Sequence, residues 1–235
     1  EIQACDWSSD VCSSDLPEDG FVFCSFNHTY KIRPALFDAW CRLLHAVPGS
    51  VLWLLESNAQ ARANLAREAA ARGVDPARLV FAPLVPAEAN LGRLGHADLV
   101  LDTLPVNAHT TASDALWAGV PIVTCVGDAF AGRVCASLLS AVGLPELATA
   151  DLRAYEALAL ALATDPARLA SVRERLRIGR ERAPLFDSAR FTRELEALYV
   201  RMAERWRAGL SPEHLPPRPV AVAAVDPSDG PGARA

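Results

Sequence analysis

Short apolar runs separated by helix-forming segments constrain this chain more than anything else in it. Five such runs stand in order: Phe21–Phe26, Val51–Leu55, Leu79–Ala82, Leu99–Thr103 and Ile122–Cys125. Val51-Leu52-Trp53-Leu54-Leu55 carries no charged or amide side chain. A strand with one face in water alternates polar and apolar residues, so this run reads as a parallel strand covered on both faces. The segments between carry helix signals. Pro34 opens a helix to about Val47, and Pro48-Gly49 ends it. Ala59–Arg72 is an alanine-rich helix stopped by Gly73, and Pro86 starts a short helix to about Leu94. Helices over Thr111–Ala118 and Ala131–Val142 follow, the second closed by Gly143. Strand and helix in alternation predict an α/β fold with a doubly wound parallel sheet. From Asp151 to about Arg207 the pattern is entirely helical.

The candidate chemistry sits where one run ends and a helix begins. After Leu99–Thr103 comes Asn107-Ala108-His109-Thr110-Thr111-Ala112-Ser113-Asp114. Open α/β sheets bind ligands at the carboxyl ends of their strands. Here the loop offers a histidine, two hydroxyls and the free N–H groups of a helix start, a site suited to phosphate. Asp114, one turn further in, can reach ribose hydroxyls. The same residues also suit a plain capped helix, with Thr110 or Thr111 as N-cap and Asp114 favouring the dipole. Lys31 follows the first strand, where a fixed cation can neutralise charge on a departing diphosphate. Asp102 resembles the ribose acid of a dehydrogenase in position only, because no Gly-x-Gly-x-x-Gly follows the first strand.

Several ordered motifs share one frame: Phe26-Asn27-His28-Thr29-Tyr30-Lys31, the 107–121 loop, and Pro184-Leu185-Phe186-Asp187. Together they resemble the O-GlcNAc transferases, protein glycosyltransferases usually preceded by tetratricopeptide repeats, with SPINDLY-like proteins among them. The resemblance implies the C-terminal half of a GT-B fold: a Rossmann-like parallel sheet with flanking helices, followed by C-terminal helices. It implies UDP-GlcNAc as donor, no cofactor or metal, and inverting transfer to a protein serine or threonine. By the same resemblance Lys31 stabilises the leaving diphosphate, with Asn27 and His28 beside it. His109, Thr110 and Thr111 meet phosphate and sugar, and Asp114 meets ribose. The segment Pro83–Arg93 aligns with the base-binding loop, with Val85, Asn90 and Arg93 as its contacts. The family usually has lysine and a stacking histidine at Ala87 and Asn90, and often glutamine at His28, so base binding departs from the pattern. A fucose-transferring branch has glutamate where Asp114 stands and no histidine at His109, which sets this chain on the GlcNAc side. The sequence also leaves open an asparagine-glucosylating relative and a non-catalytic nucleotide-binding module.

Composition excludes several classes. The net charge of −5 gives no electrostatic support for nucleic acid or an anionic membrane, and no apolar run reaches the length of a membrane span. Cys24, Cys41, Cys125 and Cys135 form neither a Cys-x-x-Cys pair nor a zinc spacing. They read as buried free thiols in a reducing compartment, and the chain is expected to be a cytoplasmic protein of bacterial type. Asp6-Trp7-Ser8-Ser9-Asp10-Val11-Cys12-Ser13-Ser14-Asp15-Leu16 looks like a translated short-read sequencing adapter. Residues 1–16 are therefore expected to be non-native and to pack against nothing, and the chain to be a fragment. Residues 17–207 are expected to form the nucleotide-sugar-binding domain, and 208–235 a Pro/Ala-rich disordered tail. The acceptor groove and catalytic base belong, by the resemblance, to regions upstream, so this polypeptide is expected to be a donor-binding half-site.

Overall fold

The computed structural model describes residues 16–180 and 182–216. Six strands form one sheet: β1 (Val22–Ser25), β2 (Val51–Leu55), β3 (Leu79–Ala82), β4 (Leu99–Leu101), β5 (Ile122–Cys125) and β6 (Ala148–Thr149). Their order is β3-β2-β1-β4-β5-β6. Each neighbouring pair is parallel, with Cys24 facing both Trp53 and Val100. The five predicted runs thus supply five of the six strands. Every residue of β1 and β2 is buried, as a strand covered on both faces requires.

Seven helices belong to the same compact unit, which reaches Phe186. They are α1 (Pro34–Ala46), α2 (Ala59–Ala71), α3 (Ala87–Leu94), α4 (Thr110–Trp117), α5 (Val134–Ala141), α6 (Leu152–Thr164) and α7 (Pro166–Gly179). One hydrophobic core runs through this unit, with Trp40, Trp53, Tyr155 and Phe23 its largest fully buried side chains. Helix α8 (Ser188–Arg207) lies in a second unit that starts at Asp187. The expected domain 17–207 is therefore divided at that point.

Several boundaries differ from expectation. β4 stops at Leu101 because the Asp102 side chain turns back to accept from the Thr103 and Ala108 N–H groups, 2.7 and 2.6 Å away. α5 starts three residues late, after a 3-10 turn at Phe130–Gly132. There Gly132 comes so close to the neighbouring loop that a Cβ would lie 2.8 Å from the Pro105 oxygen. β6 is too short to carry a sequence pattern. Leu16 is half-buried against the core instead of lying outside the fold; residues 1–15 lie outside the described residues. Of the expected tail, 211–216 has neither helix nor strand but is tied to α8. Arg205 donates to the Ser211 oxygen and pairs with Glu213, and Arg201 donates to the Pro216 oxygen. Residues 217–235 lie outside the described residues. The four cysteines at 24, 41, 125 and 135 are free and buried, as expected.

Strand order reverses at β1. The loops after β1 and β4 diverge there and leave a crevice at the carboxyl end of the sheet, where ligands of such folds bind.

Candidate functional site

A cleft of about 480 Å³ occupies that crevice. From the β1 side it is lined by Phe26, Asn27, His28 and Lys31, and from the β4 side by His109, Thr110 and Thr111. Leu55, Leu84, Val85, Ala87, Asn90 and Arg93 line the rest. Nine of the ten residues singled out from the sequence therefore meet in one place. Asp114 is not among the lining residues. It sits one turn further into α4, half-buried. Burial pushes its carboxyl up from the usual range, and no hydrogen-bond donor meets that carboxyl among the described residues.

Lys31 crosses the switch point. It closes the 3-10 turn Thr29–Lys31, and its Nζ donates to Asn27 Oδ1 at 3.1 Å and to the Asn107 carbonyl at 3.0 Å. The loops after β1 and β4 are thus tied by one ammonium. Burial lowers the Lys31 pKa, and the Asp102 carboxylate opposes that shift. Asn27 is buried, while His28 is exposed and stacks on Tyr30 with ring centroids 5.5 Å apart.

The start of α4 speaks against the capped-helix alternative. Neither threonine is the N-cap: both lie inside the helix, and His109 holds the cap position without a side-chain cap. The first N–H groups of a helix have no partner within it, so this end is open. His109 instead directs Nε2 to the Ala131 carbonyl at 3.3 Å, with the Phe130 ring 6.5 Å away.

Asp102, set aside as a ribose acid, shapes this loop. The residue is fully buried, and Thr124 Oγ1 donates to it at 2.6 Å, besides the two N–H groups noted above. Burial raises its pKa to about 6 against the pull of those donors. The Asp102 carbonyl accepts from the Tyr155 hydroxyl at 3.0 Å, which itself accepts from Trp40 Nε1 at 3.1 Å. Asn107 Nδ2 donates to the Thr103 carbonyl at 2.9 Å. An aspartate at a strand end, followed by threonine and a later asparagine, is the one local signal for this knot.

The model of glycosyl transferase family 41 matches residues 9–195. The chain belongs to glycosyl transferase family 41. The resemblance to O-GlcNAc transferases is borne out by its relatives. It is 38% identical over 200 residues to the UDP-N-acetylglucosamine–peptide N-acetylglucosaminyltransferase of Caenorhabditis elegans, covering 85% of this chain and 17% of the relative. The probable enzyme SEC of Arabidopsis thaliana matches at 38% identity, over 85% of this chain and 20% of its own length. The chain thus spans about a fifth of the curated relatives it matches. Among solved structures, the O-GlcNAc transferase of Thermobaculum terrenum aligns with a TM-score of 0.74 and 37% identity, over 82% of this chain and 37% of that one. HepE of Anabaena, 14% identical with a TM-score of 0.51 over 80% of this chain and 48% of its own, shares the fold alone. The six-stranded parallel sheet with flanking helices is that of a GT-B glycosyltransferase half.

Within this family 41 chain, the segment between β3 and α3 is held from behind by Arg93. The residue is 3% exposed, and its guanidinium carbon lies 4.3 Å from the Phe26 ring centroid. It donates to the Pro83 carbonyl at 2.6 Å and to Asn90 Oδ1. Arg93 thus fastens the loop and lines the cleft at once. Among the described residues, no group of histidine, cysteine, aspartate or glutamate side chains is placed to hold a metal, and no helix is long and apolar enough to cross a membrane.

Proposed function

We propose that this chain is the C-terminal donor-binding portion of a cytoplasmic, UDP-GlcNAc-dependent protein O-GlcNAc transferase. The observation that carries the reading is Lys31, held between the β1 and β4 loops beside the uncapped start of α4. A diphosphate laid there meets an ammonium and a row of N–H donors. Charge gathers on the diphosphate as the glycosidic bond breaks, and fixed donors need no reorganisation at that moment. In this reading Lys31 and the α4 terminus do the work a divalent cation does elsewhere, and transfer is inverting and metal-independent. Thr110, Thr111, His109 and His28 contact phosphate and sugar, and Asn27 positions Lys31. The names of the relatives support both the UDP-N-acetylglucosamine donor and a peptide acceptor. In this reading the acceptor groove and the catalytic base are supplied by regions outside this chain, so the isolated polypeptide binds donor without turning it over.

Asp114 is assigned to the ribose. Its half-buried carboxylate meets no donor among the described residues, and ribose hydroxyls supply two. Calorimetry with UDP and 2′-deoxy-UDP tests the assignment. UDP should bind more tightly by roughly 1–3 kcal/mol, the cost of an unmet buried acceptor, and Asp114→Ala should erase the difference. A preference that survives the substitution leaves Asp114 a helix-start acid only. Release of UDP from UDP-GlcNAc and an acceptor peptide by the isolated chain would defeat the half-site reading.

A further inference from the structure

The fully buried carboxylate of Asp102 stands next to the end of the cleft that suits phosphate. Its Oδ1 accepts from the Ala108 N–H. One peptide earlier, the Asn107 carbonyl accepts from the Lys31 ammonium. The residue after Ala108 is His109, where α4 begins. A negative charge therefore sits beside the two features that offer positive charge to a diphosphate. Like charges at such range disfavour each other, most of all when one is out of water.

The two carboxylate oxygens divide their work. Oδ1 accepts from both N–H groups, those of Thr103 and Ala108. Oδ2 accepts from the Thr124 hydroxyl, and a hydroxyl can accept as well as donate. A proton on Oδ2 can thus point to Thr124 Oγ1, while the Thr124 hydrogen turns to the Cys135 sulfur, which borders both side chains. Asp102 can shed its charge and keep both N–H bonds. The titratable groups facing it are Lys31 after β1, Cys125 of β5, Cys135 of α5 and Tyr155 of α6. Burial pushes the last three up, so they stay neutral. Asp102 itself, at about 6, is poised to change.

We propose that binding of a nucleoside diphosphate sugar draws a proton from solvent onto Asp102 Oδ2, so the site gives up its own negative charge as the donor's arrives. The proton returns to solvent when the donor leaves. The inference rests on the donor reading above and adds a proton to it. The bound state holds the proton more tightly than the free one. Donor affinity should therefore rise several-fold as pH falls from about 8 to about 5.5.

Calorimetry of UDP-GlcNAc binding in buffers of different ionisation enthalpy counts the protons taken up. The phosphates of UDP-GlcNAc do not titrate near neutrality. His28, His109 and Asp114 stand in or beside the cleft and can exchange protons too, so the reading is the difference between wild type and Asp102→Asn. Asparagine keeps an oxygen for both N–H groups and can donate to Thr124, but carries no charge. Near pH 6.5 the wild-type chain should take up roughly half a proton more than the variant. At pH 8 Asp102→Asn should bind UDP-GlcNAc several-fold more tightly than wild type, where a merely structural aspartate would make it bind more weakly. Thr124→Val removes the hydrogen bond that favours the carboxylate and should move the pH curve upward. This second variant decides alone if Asp102→Asn does not fold. Equal uptake by wild type and Asp102→Asn, weaker binding by Asp102→Asn at pH 8, or an unmoved curve in Thr124→Val overturns this inference and leaves the donor reading standing. Failure of UDP-GlcNAc to bind the wild-type chain overturns both.

Discussion

Helix α4 follows β4 and helix α6 follows β6 in one sheet, yet the two helices begin in opposite ways. α6 is closed by Asp151, whose Oδ1 accepts from the Ala154 N–H at 2.7 Å. α2 and α7 are closed alike, by Asn58 and Asp165. α4 has an aspartate within reach in sequence, Asp102, and two threonines, and uses none of them as a cap. Asp102 points inward to Thr103, Ala108 and Thr124, and the threonines lie inside the helix. A capped end is finished and stable, whereas an open end keeps its N–H groups for something that arrives later. Helices α1, α3 and α5 also begin without a side-chain cap; what sets α4 apart is that its open end borders the cleft, with Thr110 and Thr111 in the lining.

The largest way to break the contrast is to remove what holds the α4 entry in shape. Asp102→Ala leaves two buried N–H groups and a hydroxyl unmet, and should cost about 3–5 kcal/mol in urea denaturation. Asp102 also carries a pH signature. Its folded-state pKa, about 6, lies above its ordinary 3.8, so folding takes up a proton between these values. Stability should rise as pH falls through 6 towards 4, and this component should vanish in Asp102→Asn. An identical pH slope in the two proteins would remove Asp102 from the account.

Next in size is Lys31→Ala, which takes away the cation beside the open end. It should weaken UDP binding by about 1.5–3 kcal/mol and leave uridine binding nearly unchanged. Equal losses for both ligands would show that Lys31 serves the loop and not the diphosphate. The smallest effects come from exchanging the two kinds of helix start. His109→Asp should give α4 the acid that α6 has, raising stability by about 1 kcal/mol while lowering UDP affinity. Asp151→Ala should cost about 1 kcal/mol of stability with no change in UDP affinity. If His109→Asp leaves nucleotide affinity intact, the open end is not the phosphate site.

Most of the sheet is legible in the sequence because fully apolar strands and glycine-stopped helices carry strong local signals, as at Val51–Leu55 and Gly73. The cleft residues are legible because strand ends and helix starts fall at fixed places in that rhythm, so Lys31 and Thr110–Thr111 can be set near one another. The Asp102 knot is not. Its distant partners Thr124 and Tyr155 stand 22 and 53 residues away, and the local string of Asp102, Thr103 and Asn107 does not announce them. The start of α4 misleads for the same reason: Thr-Thr before a helix signals a cap only when the chain can turn there. The Asn90 amide reads from sequence as a cover for a base, because its tie to a buried Arg93 follows from packing on Phe26 and not from spacing.

The placement of β1 has a consequence for the order in which this molecule can be made. Val22 N–H bonds to the Asp98 carboxylate 76 residues later, and β1 pairs with both β2 and β4. A ribosome adding roughly 5–20 residues per second therefore releases β1, the first of the described strands, several seconds before its second neighbour exists. During that interval β1 has one bare edge, an invitation to pair with another nascent chain. The cleft at the switch point cannot take shape until the loop after β4 has emerged and Lys31 has found the Asn107 carbonyl.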